Sequence, residues 1–133
     1  MDSGPLYAYV DEDDVDHETC LELLTSHAGP LLVPQLVITE VAYLIATRLG
    51  VSAEVRFIGD LASGTLISEP VRVDDWLRIA ELVARYGDLP LGTVDASLVA
   101  AAERMDIKAI ATLDRRDFAV VRPKHVTAFE LLP

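Results

Sequence analysis

Five acids stand where chemistry is a reasonable question: Asp2, Glu40, Asp95, Asp114 and Asp117. Asp95 lies near the start of a periodic segment in which Leu98, Val99 and Ala102 recur three, four and seven positions later, so it shares a face with the apolar stripe. Glu40 shares a helical face with Tyr43, Leu44 and Thr47, beside Ile38, Val41 and Ala42. A carboxylate buried there without compensation costs several kcal/mol, a cost that a metal or another cation removes. Asp114 falls just past the apolar run Ala109 to Leu113, at the carboxyl end of an expected strand, where open α/β sheets place ligands.

Two carboxylates about 4 Å apart repel by about 4 kcal/mol at an effective dielectric of about 20, so four gathered together need a counter-ion or a proton. Oxygen donors suit Mg²⁺ or Mn²⁺. Zinc is disfavoured, because His17, His27 and His125 have no metal-motif spacing and Cys20 is alone. Such a set suits phosphodiester hydrolysis, in which a bound cation lowers the pKa of water. Thr112, Ser3 and Thr93 could orient ligands or water, and Arg115 and Arg116 could meet phosphate. Taken singly, each acid also reads as a helix cap or a loop residue.

The elements that must position these side chains are legible in outline. Leu6 to Val10 follows Asp2 as a potential cap; Asp11 to Asp14 reads as a solvated loop, and a helix then runs to about Ser26 or His27 before Gly29-Pro30. Leu31 to Val33 is a strand candidate, followed by helices over Gln35 to Leu49 and Ser52 to Leu61. Thr65 to Val71 contains a strand, Asp74 or Asp75 opens a helix reaching Tyr86, and the helix bearing Asp95 leads into Ala109 to Leu113. Asp117 and Phe118 open a turn, and Val126 to Leu132 is an edge-strand candidate. Short strands alternating with longer helices predict a parallel, three-layer α/β domain.

At 133 residues, one domain over residues 1–133 is expected, and about half the residues are apolar, against disorder. The single cysteine fits a reducing, cytoplasmic compartment, and no leader or membrane span is expected. A net charge of −11 argues against a surface coated by nucleic acid. The basic residues are unevenly spread, however, with Arg104, Lys108, Arg115, Arg116, Arg122 and Lys124 leaving room for a basic rim beside the acids. Phosphate-binding glycine loops and the GxSxG elbow are absent.

In order along the chain, Asp2-Ser3-Gly4-Pro5-Leu6, Thr39-Glu40-Val41, Asp95-Ala96 and Thr112-Leu113-Asp114-Arg115-Arg116-Asp117-Phe118 resemble the PIN-domain pattern, most closely the VapC toxins of VapBC toxin–antitoxin pairs. The resemblance implies a central parallel sheet of about five strands flanked by helices, and a Mg²⁺- or Mn²⁺-dependent endoribonuclease acting on tRNA or ribosomal RNA. It implies that Asp2, Glu40, Asp95 and Asp114 hold the metal, with Asp117 and Thr112 auxiliary to them. It also implies a VapB-like antitoxin whose tail reaches the acids, and a homodimer that joins the antitoxin in a heterotetramer or larger assembly. The helices between Leu36 and Leu61 are the expected dimer surface.

One departure bears on the fold: the pattern has an apolar strand before its first Asp, and here Met1 alone precedes Asp2. Either the numbered chain lacks its true start or the first strand is degraded; a truly missing strand predicts lower stability and a loosened Asp2. The alternative reading is a weakly active or inactive acidic module that binds a basic protein.

Overall fold

The computed structural model describes residues 1–133, and its elements follow the expected alternation closely. They are α1 (Ser3–Val10), α2 (His17–Ser26), β1 (Leu32–Pro34), α3 (Gln35–Arg48), α4 (Val51–Ser63), β2 (Ile67–Glu69), α5 (Val73–Arg85), α6 (Thr93–Arg104), β3 (Ala109–Ala111), α7 (Arg115–Val120) and β4 (Glu130–Leu132). The turn expected at Asp117 and Phe118 is thus a short helix, and the strands are shorter than their apolar runs.

Local chemistry sets the boundaries. Asp2, in extended conformation, accepts from the Ser3 backbone N–H and starts α1. Gly64 closes α4 at φ 81°, a left-handed conformation that glycine adopts without steric penalty. α6 is the central helix: every residue from Ala96 through Ala102 is buried. It is covered on one side by α5 and on another by α3, whose inward face is Val37, Val41 and Ile45. Leu6, Phe57, Leu98, Ile110 and Phe118 join the same apolar core.

The expectation of one central sheet of about five strands is overturned. β1 pairs in parallel with β2, Leu32 opposite Ile67, and β3 pairs in parallel with β4, Ile110 opposite Leu131; these are two separate two-stranded sheets. The physical reason lies at Met1 and Asp2. The Met1 nitrogen donates to the Leu32 carbonyl at 2.9 Å, and the Asp2 N–H donates to the Ala111 carbonyl at 2.9 Å, one bond toward each sheet. α1 begins at the next residue, so no extended segment follows to build a ladder between β1 and β3. No helix is long and apolar enough to cross a membrane.

Candidate active site

Four of the five acids line one cleft. Asp2, Glu40, Asp95 and Asp114 form its wall together with Ser3, Gly4, Leu113 and Phe118. Each comes from a different element: Asp2 caps α1, Glu40 is on α3, Asp95 is in the first turn of α6, and Asp114 caps α7 just beyond β3. Sequence reading did not single out Gly4, Leu113 or Phe118 as cleft residues. Gly4 carries a packing signal: a Cβ there would meet the Leu113 Cβ at 3.3 Å, so glycine lets α1 approach the loop that holds Asp114.

Asp2 is the most firmly held acid, against the expectation that it would be loose. It is 5% exposed. Its Oδ1 accepts from the Ser3 N–H at 2.6 Å, and its Oδ2 accepts from the buried Thr112 hydroxyl at 2.7 Å. The Thr112 oxygen in turn accepts from the Asp114 N–H at 3.1 Å, so one hydroxyl ties together the starts of α1 and α7. Ser3 contributes its backbone N–H more than its hydroxyl, which lies 3.5 Å from Asp2 Oδ1.

Glu40 corrects its expected setting. It is exposed, as are Thr39, Tyr43 and Thr47, while the buried face of α3 is carried by Val37, Val41 and Ile45. Its neighbours Tyr43, Leu44 and Thr47 follow helical spacing as read, but that face opens to solvent and to the cleft. Desolvation therefore does not force a partner on Glu40.

Asp95 is half-buried and carries the electrostatic signature of the cleft. Its carboxyl is pushed up to about 7 by burial first, then by the charges of Asp2, Glu40, Asp117 and Asp114. Asp117 is also shifted upward, by desolvation and then by Asp114, with Arg116 opposing. Thus all five acids interact electrostatically. A hard divalent cation suits an all-oxygen set with this much negative charge, although no three carboxylates of the structure converge closely enough to form a ready-made metal site.

The basic rim is mostly committed elsewhere. Arg115 donates to the carbonyls of Pro133 at 2.6 Å and Leu131 at 3.2 Å, tying α7 to β4. Arg122 donates to the Ala119 carbonyl, Arg104 pairs with Asp75 and Glu69, and Lys124 pairs with Glu81. Arg116 stays exposed beside Asp117. Among the histidines, His17 Nδ1 bonds the Ala8 carbonyl and His125 Nε2 bonds that of Ile107, both away from the cleft.

Comparison with known proteins gives this geometry a family. The PIN domain pattern matches residues 1–123. Ribonuclease VapC26 of Mycobacterium tuberculosis is 35% identical over 133 residues, which spans 100% of this chain and 98% of that protein. The crystal structure of VapC20 from Mycobacterium tuberculosis, described as a sarcin-ricin loop cleaving toxin, superposes with a TM-score of 0.75 at 24% identity, covering 81% of this chain and 83% of that one. At that identity VapC20 speaks for the fold alone, whereas the family pattern and VapC26 span nearly the whole sequence. The chain belongs to the PIN-domain family and is homologous to the VapC-type toxins of toxin–antitoxin systems.

Proposed function

We propose that this protein is a Mg²⁺- or Mn²⁺-dependent endoribonuclease of toxin–antitoxin type, acting on structured RNA and neutralised by a VapB-like antitoxin. The observation that carries this reading is the cleft that Asp95 shares with Asp2, Glu40 and Asp114, lined by no lysine or arginine. Asp2, Glu40, Asp95 and Asp114 are the proposed metal-holding and catalytic residues. Bound among them, a divalent cation supplies a Lewis acid that lowers the pKa of water and offsets phosphate charge.

The chain's own residues have separable tasks in this reading. Ser3 and Thr112 fix the two oxygens of Asp2. Asp95, whose carboxyl is pushed up to about 7 by burial and the neighbouring acids, would hold the cation together with them. Asp117 adds negative charge from α7. Arg116 is exposed and meets an RNA phosphate, whereas Arg115, proposed for the same role, first holds β4 in place. The substrate class is tRNA or ribosomal RNA, as the family resemblance implies.

The second reading is an acidic module that binds a basic protein without cleaving RNA. It is favoured by the lack of three converged carboxylates and by the net charge of −11. One experiment separates the two. Partner-free protein is incubated with total cellular RNA in Mn²⁺, beside an EDTA control and Asp95→Asn. The nuclease reading expects a discrete product that both controls lose, with a fall on the order of 100-fold or more for the variant, the scale of removing a charged group aimed at a reaction centre. It also expects Mn²⁺ to raise the Tm of the parent chain. Full cleavage by Asp95→Asn would remove that residue from the chemistry, and no Tm response to Mn²⁺ would favour the acidic module.

A further inference from the structure

The two rims of the acidic cleft differ in what they offer a ligand. On α7, the exposed Arg116 provides a cation. On α3, which lends Glu40 to the cleft, Thr39, Glu40, Tyr43 and Thr47 are exposed and none of them is basic. The Thr39 hydroxyl donates to the Gln35 carbonyl at 3.1 Å and the Thr47 hydroxyl to the Tyr43 carbonyl at 2.8 Å, so both turn back on their own helix. Arg48, farther along α3, lies over the Tyr7 ring, 5.4 Å from its centroid. The α3 rim thus shows phosphate an acid and no free cation, and the one side chain it leaves uncommitted beside Glu40 is Tyr43.

Tyr43 stands apart from the other three tyrosines of the chain. The Tyr9 hydroxyl donates to Asp60 at 3.3 Å, the Tyr86 hydroxyl accepts from the Arg122 N–H at 2.9 Å, and Tyr7 lies under Arg48. Tyr43 has no such tie and is 69% exposed. It follows Glu40 by three residues, which makes the two neighbours on the helix surface, with Cβ atoms about 5–6 Å apart. Helical side chains lean toward the amino terminus, which carries the Tyr43 ring toward the turn of Glu40 and the cleft. Trp76 is exposed as well, but α5, which bears it, lends no residue to the cleft. An open ring beside an acid is a poor seat for phosphate and a good one for a flat, uncharged group. In RNA that group is a nucleobase, and an unpaired one is free to leave its stack for a protein ring.

We propose that Tyr43 stacks on an unpaired nucleobase adjoining the phosphate that lies over the acids. This rests on the nuclease reading for its ligand and adds a selectivity to it: looped or single-stranded RNA is held in preference to duplex, with Arg116 on the backbone at one rim and Tyr43 on a base at the other. Every base has a face to stack, so the ring selects unpaired structure rather than a particular base.

Fluorescence anisotropy tests this on the full chain carrying Asp95→Asn, in Mn²⁺, with a labelled RNA stem-loop and a blunt RNA duplex of the stem sequence. Adding Tyr43→Ala should weaken stem-loop binding about tenfold and leave duplex binding within about twofold. Tyr43→Phe should stay within about threefold of the tyrosine chain on the stem-loop, because the ring is kept. Circular dichroism should be the same for all three, since Tyr43 is exposed. Stem-loop binding indifferent to Tyr43→Ala overturns the proposal, as does an equal loss on both RNAs, a phenylalanine chain no better than alanine, or a stem-loop that does not bind at all. Cleavage by the parent judges the nuclease reading separately. Ring-dependent binding without cleavage keeps the base seat and rejects the nuclease, whereas parent cleavage with binding indifferent to Tyr43→Ala does the reverse.

Discussion

Two groups of acids in this molecule experience burial in the same sense and end at opposite places. Between α5 and α6, Asp75 lies against Arg104 at 3.0 Å, and Glu103 receives two bonds of 2.8 Å from Arg78. Burial alone would raise both carboxyls, but the hydrogen bonds and charges of Arg104 and Arg78 outweigh it and hold Asp75 and Glu103 below the ordinary range. In the cleft, burial raises Asp95 and every charged neighbour acting on it is another acid, so its carboxyl climbs to about 7. The neighbouring charges, more than the depth of burial, decide the outcome. The first group is complete within the chain and contributes to stability, whereas the second is completed only by something cationic from outside.

The contrast breaks most visibly at Arg104. Arg104→Ala leaves Asp75, whose side chain is 7% exposed, with only the Arg72 N–H as a local partner. Removing one member of a buried pair costs about 3 kcal/mol or more, and the 29% exposure of the Arg104 side chain places this case near the lower bound. Urea unfolding should show that loss while cation binding in the cleft is unchanged. A loss below about 1 kcal/mol would class the pair with ordinary surface ion pairs.

The reverse effect is expected in the cleft, where removing a charge should stabilise. The folded-state value of about 7 for Asp95 exceeds its ordinary 3.8, so the metal-free folded chain holds this proton more tightly than the unfolded chain does. Its favourable contribution is full below about pH 4 and is lost as pH rises through about 7. Asp95→Asn should therefore match the parent near pH 4 and exceed it near pH 8 by about 1–2 kcal/mol, a figure discounted for the partial solvent exposure of the site. Unfolding curves at the two pH values give the difference. Mn²⁺ should erase it by stabilising only the parent, and a variant less stable than the parent at pH 8 without metal would show that the acids are already compensated.

Local signals carried the elements well and their association less well. The 3.6-residue pattern located α6 and α3, and Asp2 marked the start of α1, because caps and stripes are properties of nearby residues. The joining of sheets is not such a property: Met1 and Asp2 make one bond each toward β1 and β3, residues far away in sequence, and joining needs an extended segment long enough to build a ladder with both. The face of Glu40 was misjudged because apolar neighbours on a helix can be either core or exposed stripe, and only packing distinguishes Val41 from Tyr43. The partners of Asp75 were overlooked, although its place four before Ile79 and seven before Leu82 put it on the buried face and called for a cation. Arg115 read as a phosphate ligand because nothing local reveals that the carbonyls of Leu131 and Pro133 will claim it.

Thr112 sharpens the comparison at its smallest scale, because it acts in the cleft as a neutral substitute for the arginines of the other group. Its hydroxyl donates to Asp2 Oδ2 and accepts from the Asp114 N–H, so it positions a carboxylate without neutralising it. Thr112→Val keeps the shape but removes both bonds in a site 1% exposed, and should cost about 1 kcal/mol in urea unfolding. If positioning matters to the proposed cation site, the same variant should weaken Mn²⁺ binding about tenfold, as loss of a supporting hydrogen bond commonly does. Thr112→Ser retains the hydroxyl and should recover most of that affinity even where its smaller side chain leaves stability reduced. Equal Mn²⁺ binding by valine and serine variants would mean that the Ser3 N–H alone suffices to hold Asp2, and that the hydroxyl serves the junction of α1 with α7 rather than the acids.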